Sequence, residues 1–114
     1  MKLKLIASLI IAGAATVLCA VPVHAAVDAN AAQALAKKSG CMKCHAIDKA
    51  KKGSSYQKTA AKYKGKADAE AKVTDSITKG PKVKFEDGTE EAHKVVESKD
   101  ANDVKNLVQW ILAQ

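Results

Sequence analysis

No arginine occurs anywhere in this 114-residue chain. Guanidinium groups are the usual means of gripping phosphates and base edges with two parallel hydrogen bonds. Their absence argues against nucleic-acid recognition, although the formal charge is +7 and lysine supplies all of the positive charge. Aromatic residues are scarce as well, at 4%: one Trp, two Tyr and one Phe. A chain of this size has only a thin core, so a large flat apolar group at its centre would supply burial that the side chains cannot. Methionine is confined to Met1 and Met42, and cysteine to Cys19, Cys41 and Cys44. No run of usable length alternates apolar and polar residues in the manner of a strand.

What is present begins with an export signal. Lys2 and Lys4 precede an uncharged apolar stretch, the 17 residues from Leu5 to Val21, followed by Pro22-Val23-His24-Ala25. Val23 and Ala25 suit the positions before a signal peptidase cut, which places cleavage after Ala25, with Ala26 as the alternative. The stretch sits at the lower edge of the roughly 17 to 25 residues that span a bilayer and is diluted by Ala, Ser, Gly and Thr. Residues 1–25 are therefore read as a removed signal and not as an anchor. Leu18 is too large for the residue preceding a lipidated cysteine, so Cys19 leaves with the signal. The mature domain is residues 26–114, with a formal charge of +5 once Lys2 and Lys4 are gone. It is expected in the periplasm, as a monomer without stable membrane insertion.

Along this domain, Asp28 or Asn30 caps an alanine-rich helix that ends at Gly40. Lys49 to Ser55 reads as loop, then comes a short helical piece with Tyr56, Ala60, Ala61 and Tyr63, ended by Gly65. Ala67 to Lys79 is a third helix, with Ala69, Val73 and Ile77 at intervals of four, stopped by Gly80-Pro81. Residues 81 to 97 read mostly as loop with a turn of helix near Glu90. In the last helix Ser98 is the cap, Asp100 and Asp103 lie where the helix dipole favours anions, and Val104, Leu107, Val108, Ile111 and Leu112 form one apolar stripe. The fold class is all-α, with four or five short helices.

The chemistry resides in Gly40-Cys41-Met42-Lys43-Cys44-His45, which contains the C-x-x-C-H pattern of haem attachment. Two intervening residues let both thiols reach the vinyl groups on one porphyrin edge, and the adjacent histidine then swings beneath the plane to meet the iron. A thioredoxin-like redox pair belongs beside a strand in a βαβ unit, and a structural zinc site needs a second pair of ligands. The chain offers neither.

With these residues in view, the chain resembles the short bacterial class I cytochromes c over nearly its whole mature length. The likeness rests on Leu35 to Asp48 (LAKKSGCMKCHAID), Tyr56 to Gly65 with its AAKYKG, the DAEAK of residues 68–72 and the terminal DVKNLVQWILAQ. It implies four or five helices around one covalent haem c, with the first and last helices crossing beside it, so that Leu35 and Trp110 become packing residues. Cys41 and Cys44 would then bind the haem and His45 its iron. The chain departs from the family twice. Where the family has Gly-Pro after the haem motif, this chain has Gly53-Ser54, leaving the Ser54 carbonyl to steady the proximal histidine. On the distal side the family's methionine has no counterpart, because Met1 goes with the signal and Met42 is held between the cysteines. His93 falls near its place and is the favoured sixth ligand. An open site, water, or Lys82, Lys84 or Lys94 are the alternatives.

Charge is unevenly spread: residues 37 to 66 hold ten lysines against Asp48, whereas 86 to 103 hold seven acids against two lysines. A basic rim around the haem motif, led by Lys43, Lys49, Lys51 and Lys52, would steer acidic redox partners. The expected function is not enzymatic: a periplasmic one-electron carrier between redox proteins, His/His-ligated and lower in potential than His/Met relatives. The rival expectation is a haem-based sensor or weak peroxidase with an open distal site.

Overall fold

The computed structural model describes residues 26–114, so the signal expected at residues 1–25 lies outside the described residues. Four α-helices account for most of the domain: α1 (Ala29–Lys38), α2 (Tyr56–Tyr63), α3 (Ala69–Lys79) and α4 (Ala101–Leu112). A 3₁₀ turn spans Cys41–Lys43, and two short strands, β1 (Lys82–Lys84) and β2 (Glu90–Ala92), form a hairpin between α3 and α4.

Three of the four helices, α1, α2 and α4, begin at a side chain that takes up an otherwise unpaired backbone N–H. The Asp28 carboxylate accepts from Ala31 N–H at 2.9 Å, and the Ser55 hydroxyl accepts from Lys58 N–H at 3.1 Å. At α4 the cap is Asp100, which accepts from Asn102 N–H at 2.8 Å, and not Ser98 as the sequence suggested. The Ser98 hydroxyl instead donates to Asp103 at 3.0 Å and accepts from Asp100 N–H at 3.2 Å, bracing the cap from outside.

α4 is the spine of the domain and packs against α1, α2 and α3 in turn. Leu107 and Val108 are its most deeply buried side chains, with Val104, Trp110 and Ile111 beside them. Ala32 and Ala36, four apart on one face of α1, are both buried, and their small size lets the two helices cross closely. That crossing is fixed in register by a reciprocal pair: Asp28 N–H donates to the Asn106 side chain at 2.8 Å, and the Asn106 amide donates to the Asp28 carbonyl at 2.9 Å. Leu35 packs at the edge of this core and Trp110 within it, as the family resemblance implied.

The hairpin corrects the reading of residues 81 to 97 as loop with a helical turn near Glu90. Its strands are antiparallel, with Lys82 opposite Ala92, Val83 opposite Glu91 and Lys84 opposite Glu90. Gly88 adopts φ +84°, a conformation that strongly favours glycine, and the Asp87 carboxylate accepts from both Thr89 N–H and Thr89 Oγ1 to close the turn. The alternation Lys82-Val83-Lys84-Phe85 followed by Asp87-Gly88 carried this signal, but over four residues and on one strand only. The return strand Glu90–Ala92 is exposed throughout and has no alternation to read. Among the described residues no helix is long and apolar enough to cross a membrane.

Candidate functional site

Gly40, in the left-handed region at φ +73°, ends α1 and turns the chain into the 3₁₀ turn that bears the motif. Cys41 and Cys44 are both half-buried and form no disulfide. Burial pushes the Cys41 thiol above its ordinary range. Tyr56 is raised in turn, chiefly by its own burial and further by Cys41.

His45 follows at once and is held on two sides. Its Nδ1 lies 2.6 Å from the Ser54 carbonyl oxygen. A carbonyl can only accept, so Nδ1 carries the proton and Nε2 keeps a free lone pair. One face of the ring stacks on Tyr56, with 5.2 Å between centroids and 18° between planes. The loop that returns Ser54 to the ring is tight: Gly53 N–H donates to the Cys44 carbonyl at 2.7 Å, and Lys51 N–H to the Gly53 carbonyl at 3.0 Å. Any side chain at Gly53 would place its Cβ 2.6 Å from His45 Cε1, so the close approach requires glycine.

The structure brings His93 close to His45. His93 N–H donates to the Pro81 carbonyl at 2.8 Å, continuing the hairpin pairing, and its Nδ1 lies 2.9 Å from the Lys94 carbonyl oxygen. The same argument gives it a proton on Nδ1 and a free Nε2. The His45 and His93 ring centroids are 6.1 Å apart with planes tilted by 45°. A metal–imidazole bond is about 2.0 to 2.1 Å long and the ring centre lies about 1.1 Å beyond the nitrogen, so two imidazoles on opposite sides of one ion have centroids about 6.2 Å apart. Among the described residues no three His, Cys, Asp or Glu side chains converge as a metal cage. Two imidazoles at this separation, with the two cysteines of the motif beside them, are compatible with an iron whose other ligands come from a porphyrin.

The four residues singled out in the sequence thus lie in one place. Sequence reasoning missed Tyr56 as the partner of the proximal ring, and Gly53 as more than a loop residue. An aromatic residue directly after the Ser54-Ser55 pair was the one available hint. The lysines Lys43, Lys49, Lys51 and Lys52 are all exposed. Two of them have internal duties: Lys51 Nζ donates to the Met42 carbonyl at 2.7 Å, and Lys52 forms an ion pair with Glu91.

A short helical domain whose C-x-x-C-H motif opens on a 3₁₀ turn has the features of a c-type haem protein. Comparison with known proteins agrees. The cytochrome c family profile, "Cytochrome c", matches residues 29–114, and the chain belongs to that family. It is 36% identical over 82 residues to cytochrome c-551 of Allochromatium vinosum, covering 68% of this chain and 80% of that one. It is 37% identical over 78 residues to cytochrome c2 of Rubrivivax gelatinosus, covering 68% and 91%. Among solved structures, the class 1 cytochrome MtoD of Sideroxydans lithotrophicus ES-1 is similar at a TM-score of 0.74 and 54% identity, covering 77% of this chain and 97% of that one. Cytochrome c552 of Nitrosomonas europaea gives a TM-score of 0.56 at 28% identity, covering 71% and 96%. The chain is a short class I monohaem cytochrome with one covalently attached haem c and its iron, and it carries electrons between redox proteins.

Proposed function

We propose that this cytochrome is a periplasmic carrier, and not an enzyme, whose haem is bound through Cys41 and Cys44 and ligated on both faces by histidine, His45 on the proximal side and His93 on the distal side. The observation that carries this reading is the pair of imidazoles with ring centroids 6.1 Å apart, each with Nδ1 turned to a backbone carbonyl. Bound in this site, the haem supplies a one-electron Fe(III)/Fe(II) couple. The chain's own residues hold both rings against rotation, through the Ser54 carbonyl and the Tyr56 stack on one side and the Lys94 carbonyl on the other.

Methionine as an axial ligand raises the potential of class I cytochromes, and no methionine in residues 26–114 lies outside the motif itself. The proposed carrier is therefore lower in potential than its His/Met relatives. Periplasmic residence is supported by the export signal in residues 1–25. The exposed lysines of the motif and its following loop favour acidic partners, met by a monomer in brief encounters.

A resting absorption spectrum of the holoprotein, taken with and without His93, tests the ligation. Six-coordinate low-spin iron is expected in the parent protein. High-spin iron that takes up added cyanide or imidazole is expected in His93→Ala. A low-spin spectrum unchanged by that substitution would remove His93 from the site, and a high-spin parent would favour a sensor or weak peroxidase.

A further inference from the structure

Three ion pairs occur among the described residues. Two of them, Lys72 with Asp68 and Lys79 with Asp75, join residues four apart along or at the start of α3 and brace that helix alone. The third, Lys52 with Glu91, joins two distant parts of the chain. Lys52 belongs to the loop between His45 and Ser54, which holds the proximal imidazole. Glu91 is in β2, two residues before His93. The same Lys52 ammonium lies 4.6 Å from the centroid of Phe85, where β1 enters the turn. Glu91 raises the Lys52 ammonium above the ordinary lysine range, and Asp87 in the same turn adds to the effect.

At its base the hairpin is tied elsewhere. His93 N–H bonds to the Pro81 carbonyl and Val96 N–H to the Ile77 carbonyl, both at 2.8 Å, while Gly80 at φ +61° leaves space for the His93 carbonyl to pass. These contacts fix the hairpin to α3. They do not by themselves fix how far it stands from His45.

We propose that Lys52 and Glu91 are positioning residues for the distal imidazole: their ion pair, seated on Phe85, latches the hairpin to the proximal loop and so holds His93 facing His45. The proposal rests on His93 being the iron ligand. An exposed ion pair in water is weak, and so is the latch. Breaking it shifts the balance between latched and swung-away hairpin by about two- to fivefold. A small neutral ligand binds only where His93 has left, so its apparent affinity shifts by the same factor.

The test is a titration of the holoprotein with imidazole at low ionic strength, followed in the visible spectrum. Lys52→Met keeps the apolar stem over Phe85 but removes the charge, and Glu91→Gln removes the partner. Each is expected to bind imidazole about two- to fivefold more tightly than the parent, a change of the size an exposed pair supports. The charge exchange Lys52→Glu with Glu91→Lys is expected to return the affinity toward that of the parent. Added salt should loosen the parent and leave the two single variants nearly unmoved. Parental affinity in both single variants overturns the latch. So does a charge exchange that binds imidazole as tightly as they do, because the hairpin would then respond to substitution and not to pairing. His93→Ala separates the two ideas. If it shows the parental spectrum and affinity, the assignment of His93 has failed. If it turns high-spin while the latch variants do nothing, the latch alone has failed.

Discussion

The imidazole of His45 stacks on the phenol ring of Tyr56 at 5.2 Å, and the same phenol meets the indole of Trp110 edge-on at 5.4 Å and 76°. A continuous aromatic column therefore runs from the proximal imidazole into α4, the helix around which the domain is packed. Tyr56 is at once a core residue and the wall behind the ring.

Those two roles separate by substitution. Tyr56→Phe keeps the column and removes only the hydroxyl, so a loss of about 1 kcal/mol or less is expected. Tyr56→Ala opens a cavity behind His45 and should cost about 3 kcal/mol or more, as truncation of buried aromatics does. Guanidinium unfolding of both holoproteins measures the difference. Equal losses would mean that the hydroxyl matters and the ring contact does not.

Gly53 makes a sharper demand, because a methyl group there would lie 2.6 Å from His45 Cε1 and 2.9 Å from its Nδ1. Gly53→Ala must push the ring or the loop aside, lengthening the bond from His45 Nδ1 to the Ser54 carbonyl. A loss of about 1 to 3 kcal/mol is expected from this overpacking. Nuclear magnetic resonance of the Nδ1 proton should show faster exchange with solvent. Parental stability together with parental exchange would show that the loop has slack the structure does not suggest.

Covalent attachment and processing are checked together by mass spectrometry and N-terminal sequencing of protein from a haem-maturing host. One haem per chain is expected, on the peptide holding both Cys41 and Cys44, in a protein starting at Ala26 or Val27. Free thiols at both cysteines would overturn the attachment, and an intact Met1 or a lipidated Cys19 would move the protein to the membrane.

Much of this architecture is legible in the sequence because the helices advertise themselves locally. Asp28, Ser55 and Gly80 mark their ends, and Val104, Leu107, Val108 and Ile111 repeat at helical spacing over about two turns. Cys41, Cys44 and His45 are legible for the same reason, being a contiguous motif. The β-hairpin is not, because strands of three residues offer no sustained period and the decisive residues, Asp87 and Gly88, are common in any loop. Contacts that depend on tertiary approach are harder still. Nothing in the local sequence pairs Lys52 with Glu91, 39 residues on, or sets the ring of Tyr56 against that of His45. The choice of His93 rests on the lack of a usable methionine and on its falling near the place of the family's methionine, not on any local pattern.

Docking is the property most altered by the structure. The sequence pointed to Lys43, Lys49, Lys51 and Lys52 as one basic rim, but Lys51 is hydrogen-bonded to the Met42 carbonyl and Lys52 to Glu91. Lys43 and Lys49 are exposed and form no ion pair among the described residues, so their charge is fully available to a partner. Reversing both, Lys43→Glu with Lys49→Glu, should slow electron transfer to an acidic partner by roughly tenfold at low salt, the lower end of what electrostatic steering contributes. The deficit should shrink as ionic strength rises, because the screening length falls from about 30 Å at 0.01 M to about 8 Å at 0.15 M. The control pair Lys72→Glu with Lys79→Glu, on α3 and away from the motif in sequence, should change the rate much less. Stopped-flow mixing at several salt concentrations measures all three proteins. If the α3 reversals slow the reaction as much as the reversals beside the haem motif, net charge alone governs the encounter, and the lysines at the motif are no docking site.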